Sequence, residues 1–361
     1  MGAILYYITG HGYGHAVRSN QVILALHEAR PHVKIHVRTT APEWLFGRQP
    51  GAICYSPQAI DVGIIQNDSL EMNFGKTIED CQQFYAGAHE LVKQEASFIS
   101  KNDIKVIVGD IPPLAFEIAA YAVLPSVAIS NFSWDEIYRA YIGSYADFAA
   151  IVDQITTYYQ KTTLALTLPY SCDMTVFPNQ REIPWVTRTS GLTKDQSRAK
   201  FGLPHNARII LLSFGGHGLD RLPWDRLKQL GDFYFVATGE SGLAQGNLRI
   251  LSGTQSHYED LVRAVDAIVT KPGYGIVADA LAHKIPMLYT DRGEFPEYPR
   301  LVKALRECAT AKYIAQAELL AGNIAAHLNH LLSKPQTWVP VDLDGATVAA
   351  KAVLGLFDQQ R

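Results

Sequence analysis

The sequence predicts an α/β protein made of two Rossmann-like, doubly wound halves that face each other across a cleft. Three observations carry this reading. The chain has 361 residues, more than one core ordinarily serves, so two domains are expected. It opens on a short apolar run, Ala3–Ile8, followed by a glycine-rich turn and a helical pattern, the order of a βαβ unit. The same order returns at Arg208, which implies a second doubly wound unit rather than an extension of the first.

Each element follows from its residues. Ala3-Ile4-Leu5-Tyr6-Tyr7-Ile8 is apolar throughout, as a strand buried on both faces requires. Thr9-Gly10-His11-Gly12-Tyr13-Gly14-His15 is the turn. Val22, Ile23, Leu26 and Ala29 then recur at helical spacing, and Pro31 ends that helix before a strand over residues 33–39. Residues 104–108 read as a buried strand closing on Gly109-Asp110, followed by a helix over Leu114–Tyr121 and a strand over 126–129. The polar stretch 171–190, with Pro178 and Pro184, is the expected linker. The first domain is therefore placed at residues 1–180 and the second at 191–345.

In the second domain Arg208–Ser213 is the first strand, Phe214-Gly215-Gly216-His217-Gly218 its turn, 224–230 a helix and 233–237 the next strand. Residues 266–270 are a strand, Lys271-Pro272-Gly273-Tyr274-Gly275 a loop, 276–283 a helix and 286–289 a strand. The apolar helix at 346–357, within the closing segment 346–361, is expected to pack back on the first domain.

Composition excludes several classes. Apolar residues make up 48% and charged residues 19%, and the net charge is −3, so no nucleic-acid surface is expected. Cys54, Cys81, Cys172 and Cys308 are widely spaced with no CxxC pair, which argues against a disulfide framework or a zinc site. The start of the chain lacks a basic leader, so no signal peptide is expected. The apolar stretch 111–129 carries Pro112, Pro113, Glu117 and Pro125 and does not read as a transmembrane segment. A cytoplasmic location is expected, with attachment to the inner membrane surface left open.

Ligands of doubly wound sheets sit beyond the carboxyl ends of the strands. Four segments are expected there: 9–15, 110–113, 213–218 and 270–275. The first departs from a NAD fingerprint, because His15 stands where a third glycine is wanted and Arg38-Thr39-Thr40 where an acid is wanted. Arg38 leaves NADP open. His15 at a helix start suits a general base, with Asp110 to orient it. The plainer alternatives are an exposed histidine in a tight turn and a turn-forming aspartate ahead of Pro112-Pro113. Ser213, Gly215 and Gly216, together with Gly273 and Gly275, suit phosphate binding through backbone N–H groups, with Lys271 as a point charge. Glu294 and Glu297 follow the 286–289 strand, where carboxylates can accept sugar or ribose hydroxyls; composition alone favours an ordinary charged surface loop there. Tyr138, Tyr141, Tyr145, Tyr158 and Tyr159 read as aromatic core before they read as a stacking surface.

Together these segments resemble the GT-B glycosyltransferase superfamily. Gly12-Tyr13-Gly14-His15-Ala16-Val17-Arg18 matches the GxGHxxR pattern of a group of predicted glycosyltransferases, and Ser130-Asn131-Phe132-Ser133-Trp134 and Thr270-Lys271-Pro272-Gly273-Tyr274-Gly275 look characteristic of that group. The N-terminal part of plant-type arabinokinases, the peptidoglycan N-acetylglucosaminyltransferase and nucleotide-sugar hydrolases of pseudaminic acid synthesis carry related patterns. The resemblance implies a nucleotide sugar, uridine-linked, held by the second half. Ser213, Gly215, Gly216, His257, Lys271, Gly273, Tyr274, Gly275, Glu294 and Glu297 would bind the donor. His11, Gly12, Gly14 and Arg18 would line the acceptor side, with Arg18 on phosphate or a sugar carboxylate. His15 would be the base and Asp110 its partner. These 361 residues include no kinase half, so sugar phosphorylation is not expected of them; Asp342-Leu343-Asp344 lies away from the expected cleft, so no metal or resident cofactor is expected.

The leading expectation is an inverting glycosyltransferase acting on a small molecule, glycan or lipid-linked acceptor. A nucleotide-sugar hydrolase or epimerase on the same fold, a non-catalytic nucleotide-sugar-binding protein and an NADP-dependent reductase are the rivals, in that order.

Overall fold

A computed structural model describes residues 2–46, 51–67, 72–215, 222–239, 242–252 and 257–360. In the first half β1 (Ala3–Ile8), β2 (Lys34–Thr39), β3 (Ile53–Pro57), β4 (Ile104–Asp110), β5 (Ser126–Ser130), β6 (Leu164–Thr167) and β7 (Gln180–Glu182) form a parallel sheet in the order β3-β2-β1-β4-β5-β6-β7. In the second, β8 (Arg208–Ser213), β9 (Phe233–Gly239), β10 (Leu243–Gln245), β11 (Leu248–Ser252), β12 (Ala267–Thr270), β13 (Met287–Tyr289) and β14 (Ala311–Tyr313) take the order β10-β11-β9-β8-β12-β13-β14, parallel except for the β10–β11 pair.

Strand order positions the site. The chain winds outward from β1 to β2 and β3 on one side and from β4 onward on the other, so connections diverge above β1 and β4 and leave a crevice. The same reversal occurs at β8, between β9 and β12. The four segments singled out in the sequence follow β1, β4, β8 and β12, the strands that border the two switch points.

The core follows the alternation of the strands. Ile4, Tyr6 and Ile8 point to the face covered by Ala16, Val22, Ile23 and Leu26 of the Tyr13–Ala29 helix and by Ala349, Val353 and Phe357 of the Gly345–Asp358 helix. Ala3, Leu5 and Tyr7 point to the opposite face, against a second cluster that includes Phe116, Trp134 and Tyr138. The C-terminal helix packs on the Tyr13–Ala29 helix and β4 of the first half. Among the described residues no helix is long and apolar enough to cross a membrane. The four cysteines are free.

Three local details differ from the sequence reading. The first helix begins at Tyr13, so His15 lies in its opening turn rather than in the loop. The helix expected at 224–230 spans only Trp224–Leu227 and unwinds through turns into β9. Within the stretch read as linker, Gln180–Glu182 adds an edge strand to the first sheet. Its three residues are all exposed, so no apolar pattern marks it, as is usual for a short polar edge.

The chain beyond β7 is tied tightly to the segment before the C-terminal helix. Trp185 N–H donates to the Asp342 carbonyl at 3.0 Å and Gly345 N–H to the Trp185 carbonyl at 3.2 Å. A Cβ on Gly345 would lie 2.2 Å from the Pro184 carbonyl oxygen, a backbone atom with nowhere to move. Gly345→Ala is therefore expected to lower stability by about 1–3 kcal/mol, the usual cost of overpacking, as read from chemical denaturation.

Candidate active site in the cleft

The spacing His15-x-x-Arg18-Ser19 places these three side chains on one helix face, because residues three and four apart are neighbours on a helix. That face looks onto the end of β4, where β1 and β4 pair Ile8 with Asp110. His15 Nδ1 lies 2.8 Å from Asp110 Oδ1. Arg18 Nε donates to Asp110 Oδ2 at 2.7 Å, and one of its terminal nitrogens donates to Oδ1 at 2.5 Å. Ser19 Oγ donates to Oδ2 at 2.8 Å. Asp110 is fully buried, and His15 and Arg18 are nearly so. Gly12, at φ 74°, forms the cap that starts the helix at the point where the chain must turn.

The charges determine how the pair behaves. Burial alone would raise the Asp110 carboxyl, but the adjacent Arg18 and His15 overcome it and hold it at about 2. Burial, and next the Arg18 charge, push His15 below its ordinary value against the opposing pull of Asp110 and Glu297. Asp110 is thus ionised and His15 neutral near pH 7. Nδ1 has two neighbours, Asp110 Oδ1 at 2.8 Å and an Arg18 nitrogen at 3.0 Å. That nitrogen already donates to Asp110 and Ser130, and a bare lone pair against the carboxylate would be repulsive, so we assign the proton to Nδ1, donating to Asp110. This leaves the Nε2 lone pair as the free basic site.

A chain of buried contacts leads from this pair to the second half. The other terminal nitrogen of Arg18 donates to Asn131 Oδ1 at 2.5 Å, and Asn131 Nδ2 donates to Glu297 Oε1 at 2.7 Å. Arg292 donates to Glu297 Oε2 and, at 3.2 Å, to the Pro272 carbonyl in the loop after β12. The Arg18 guanidinium lies 5.3 Å from the centroid of the Tyr274 ring. A Cβ built on Gly275 would sit 3.8 Å from Gly14 Cα, so the starts of the Tyr13–Ala29 and Tyr274–His283 helices meet across the cleft.

The other residues singled out in the sequence fall into distinct groups. His11 is half-buried, edge-on to Trp134 at 5.1 Å, and pushed down to about 3 by burial and by the charges of His15, Arg292 and Lys271. Gly215 (φ 76°), Lys271, Gly273 and Gly275 stand at the carboxyl ends of β8 and β12. Ser213 also ends β8, but its Oγ accepts from Tyr258 at 2.8 Å and its carbonyl from Thr270. Gly216, His217 and Gly218 lie outside the described residues.

Several expected ligand contacts are already engaged within the protein. Arg18 is 4% exposed and bonded to Asp110, Asn131 and Ser130, so it faces protein groups and not a ligand phosphate. Tyr274 stacks on Trp185 at 5.0 Å and its hydroxyl accepts from Val186 N–H, which makes it packing. Glu297 has both carboxylate oxygens bonded. The Glu294 side chain is exposed, and its carbonyl accepts from Tyr141 at 3.0 Å. His257 precedes the Tyr258–Ala264 helix with an exposed ring 3.1 Å from Glu259. Arg38 pairs with buried Glu95 at 3.0 Å and with Gln58 at 3.1 Å, which removes it as a 2′-phosphate ligand and weighs against a reductase. Asp344 N–H donates to Asp342 Oδ1 in a turn ahead of the C-terminal helix. Tyr138, Tyr141 and Tyr159 are buried core, and Tyr145 is exposed.

Sequence reasoning did not assign Ser19, Ser130, Asn131 or Arg292 to this network, nor Asp61 to the cleft. Ser19 carried a signal, since it shares the helical face of His15 and Arg18. Asp61, in the loop after β3, accepts from Trp134 Nε1 at 2.9 Å. Burial raises its carboxyl to about 6, with the Asp110 charge adding to the rise and hydrogen bonds from Thr9, Trp134 and Gly10 opposing it. No local pattern in its sequence neighbourhood announces this.

Residues 2–149 match the family model described as glycosyl transferase family 1. The chain is 28% identical over 332 residues to L-arabinokinase of Arabidopsis thaliana, a match covering 91% of this chain and 32% of that protein. It therefore spans about a third of the length of that relative. The fold superposes on UGT2 of Phytolacca americana, complexed with UDP-2fluoro-glucose and pterostilbene, with TM-score 0.62 and 11% identity over 100% of this chain and 95% of that one. It also matches the glycosyltransferase SnogD from Streptomyces nogalater, with TM-score 0.56 and 16% identity over 100% and 96% of the two chains.

Proposed function

We propose, for a chain that has the GT-B fold and is related to an arabinokinase, that it transfers a sugar from a UDP-linked donor to an acceptor hydroxyl with inversion. The observation that carries the proposal is the His15–Asp110 pair at the switch point of the first sheet, facing the helix start of the second. His15 Nε2 takes the acceptor proton as the acceptor oxygen attacks the anomeric carbon and the bond to the diphosphate breaks. Asp110 stabilises the imidazolium that forms. The departing diphosphate lies at the start of the Tyr274–His283 helix, where the backbone N–H groups after Gly273 and the Lys271 charge stabilise it. A uridine donor draws support from the ligand named for the Phytolacca structure. Glu297, held by Asn131 and Arg292, keeps lone pairs on both oxygens with which to accept a donor hydroxyl.

The test is thermal stabilisation by UDP, GDP, dTDP, CMP and NADP, followed by turnover assays with the matching nucleotide sugars. A nucleotide at about 100 times its Kd is expected to add about 2.7 kcal/mol of stability, with UDP giving the shift. Nucleotide release that needs an acceptor supports transfer, and release at the full rate without one makes the protein a hydrolase. Tight binding with no product would make it a sensor of the nucleotide sugar. A shift with NADP alone would overturn the reading.

A further inference from the structure

We propose that Arg18 and Asn131 are positioning residues: Arg18 clamps the His15–Asp110 pair in its working geometry and proton state, and Asn131 ties that clamp to the donor-binding half. The inference rests on the reading of His15 as the base.

The geometry at Asp110 is over-determined. Arg18 forks onto both carboxylate oxygens, Ser19 holds Oδ2 from the next position, and Ser130 Oγ accepts from the same Arg18 nitrogen at 3.0 Å. A carboxylate gripped in this way cannot rotate, so the Oδ1 atom that meets His15 Nδ1 stays aligned. A buried arginine is a costly means of filling space, and an apolar side chain of similar volume would often serve stability as well or better. The arginine brings a positive charge within 3.0 Å of the His15 ring, which favours the neutral imidazole that a base must present. The groups facing His15 from neighbouring elements are Asp110 on β4, Glu297 at the start of the Glu297–Cys308 helix, His11 in the preceding loop and the edge of Phe132. Without Arg18, Asp110 and Glu297 would act on the ring unopposed by any cation on its own helix.

Asn131 makes the connection between halves. Its amide is fixed by two different partners, accepting from Arg18 and donating to Glu297. Glu297 is held by Arg292, and Arg292 also holds the loop after β12 through the Pro272 carbonyl. Separating the halves breaks the Asn131–Glu297 bond and the Arg18–Tyr274 contact together. The base is therefore braced from both sides only while the cleft is closed.

The experiment combines NMR titration of the histidine rings in the full chain with steady-state kinetics for Arg18→Met, Arg18→Lys and Asn131→Ala. In Arg18→Met the His15 midpoint is expected to move up, and the acid limb of kcat/KM to move up with it. Arg18→Lys keeps the charge and loses the fork, so the midpoint stays while kcat falls roughly 100-fold, as expected for a misaligned catalytic group, with donor KM unchanged. Asn131→Ala is expected to lower kcat without moving the midpoint. A merely structural arginine would reduce the rate at every pH and leave the midpoint alone, and that result in folded Arg18→Met overturns the proposal. Should Arg18→Met fail to fold, wild-type kcat in Arg18→Lys and Asn131→Ala overturns it equally. The titration needs no substrate. A chain that turns over no nucleotide sugar but shows the raised midpoint retains the positioning role and loses the transferase reading. An active transferase with an unmoved midpoint does the reverse.

Discussion

Asp110→Ala is expected to cost about 3–5 kcal/mol of folding stability, the loss typical when one member of a buried ion pair is removed. Arg18 is 4% exposed and would be left with a buried charge that has lost its directly bonded carboxylate, while Ser19 and His15 would each lose an acceptor. Urea denaturation measures the loss. Adding Arg18→Met to Asp110→Ala is expected to restore part of it, because the orphaned charge goes too; a second loss of full size would show that the two residues do not act as a unit. The same balance sets the acid limit. The Asp110 carboxyl is held at about 2 in the folded protein against an ordinary value of 3.8. Its contribution is therefore fully present above the ordinary value and is lost as the pH falls towards about 2.

His15→Ala is expected to lower transfer about 10²- to 10⁴-fold, the range for removing a general base, while the protein stays folded. The fold tolerates the change because Asp110 keeps Arg18 and Ser19 as donors. The ring's other contacts are Arg18, 3.0 Å from Nδ1, and an edge-on approach to Phe132 at 5.3 Å. Nucleotide release in the presence of acceptor is the assay, with UDP-induced stabilisation as the control that the donor side is intact. Wild-type turnover in a folded His15→Ala protein would end the role of His15 as base.

The two cases differ in what could be read from residues alone. The GxGHxxR string announced His15 and Arg18 because a helix start after a buried apolar strand has a local signature. Asp110 was legible for a related reason, since it closes the apolar run of β4. The function of Arg18 was not. A sequence shows a cation near a glycine loop, and phosphate contact is the ready interpretation; that its donors are spent on Asp110, Asn131 and Ser130 depends on partners more than 90 positions away. Tyr274 and Glu297 follow the same pattern. Each sits where the sequence placed it, at the end of a strand in the second half, yet each faces a partner contributed by another part of the chain.

The edge strand Gln180–Glu182 and the role of Asp61 escaped for opposite reasons. The strand lacks an apolar face because its three residues are all exposed, so periodicity has nothing to report. Asp61 owes its raised carboxyl to burial and to the Asp110 charge, opposed by hydrogen bonds from Thr9 and Trp134, and none of these neighbours is close in sequence.

The repeated strand–glycine-turn–helix order was legible in the residues alone, and with it the two doubly wound sheets and the strand ends that border their switch points. Those features are local: apolar runs of strand length, helical spacing and glycines where the backbone must turn are written in consecutive residues. The tertiary structure alone decided which polar side chains remain free for a ligand and which are paired. Pairing depends on burial and on charges brought together from β4, the Ser130-Asn131 turn and the Glu297–Cys308 helix, and these meet only when the two halves close on each other.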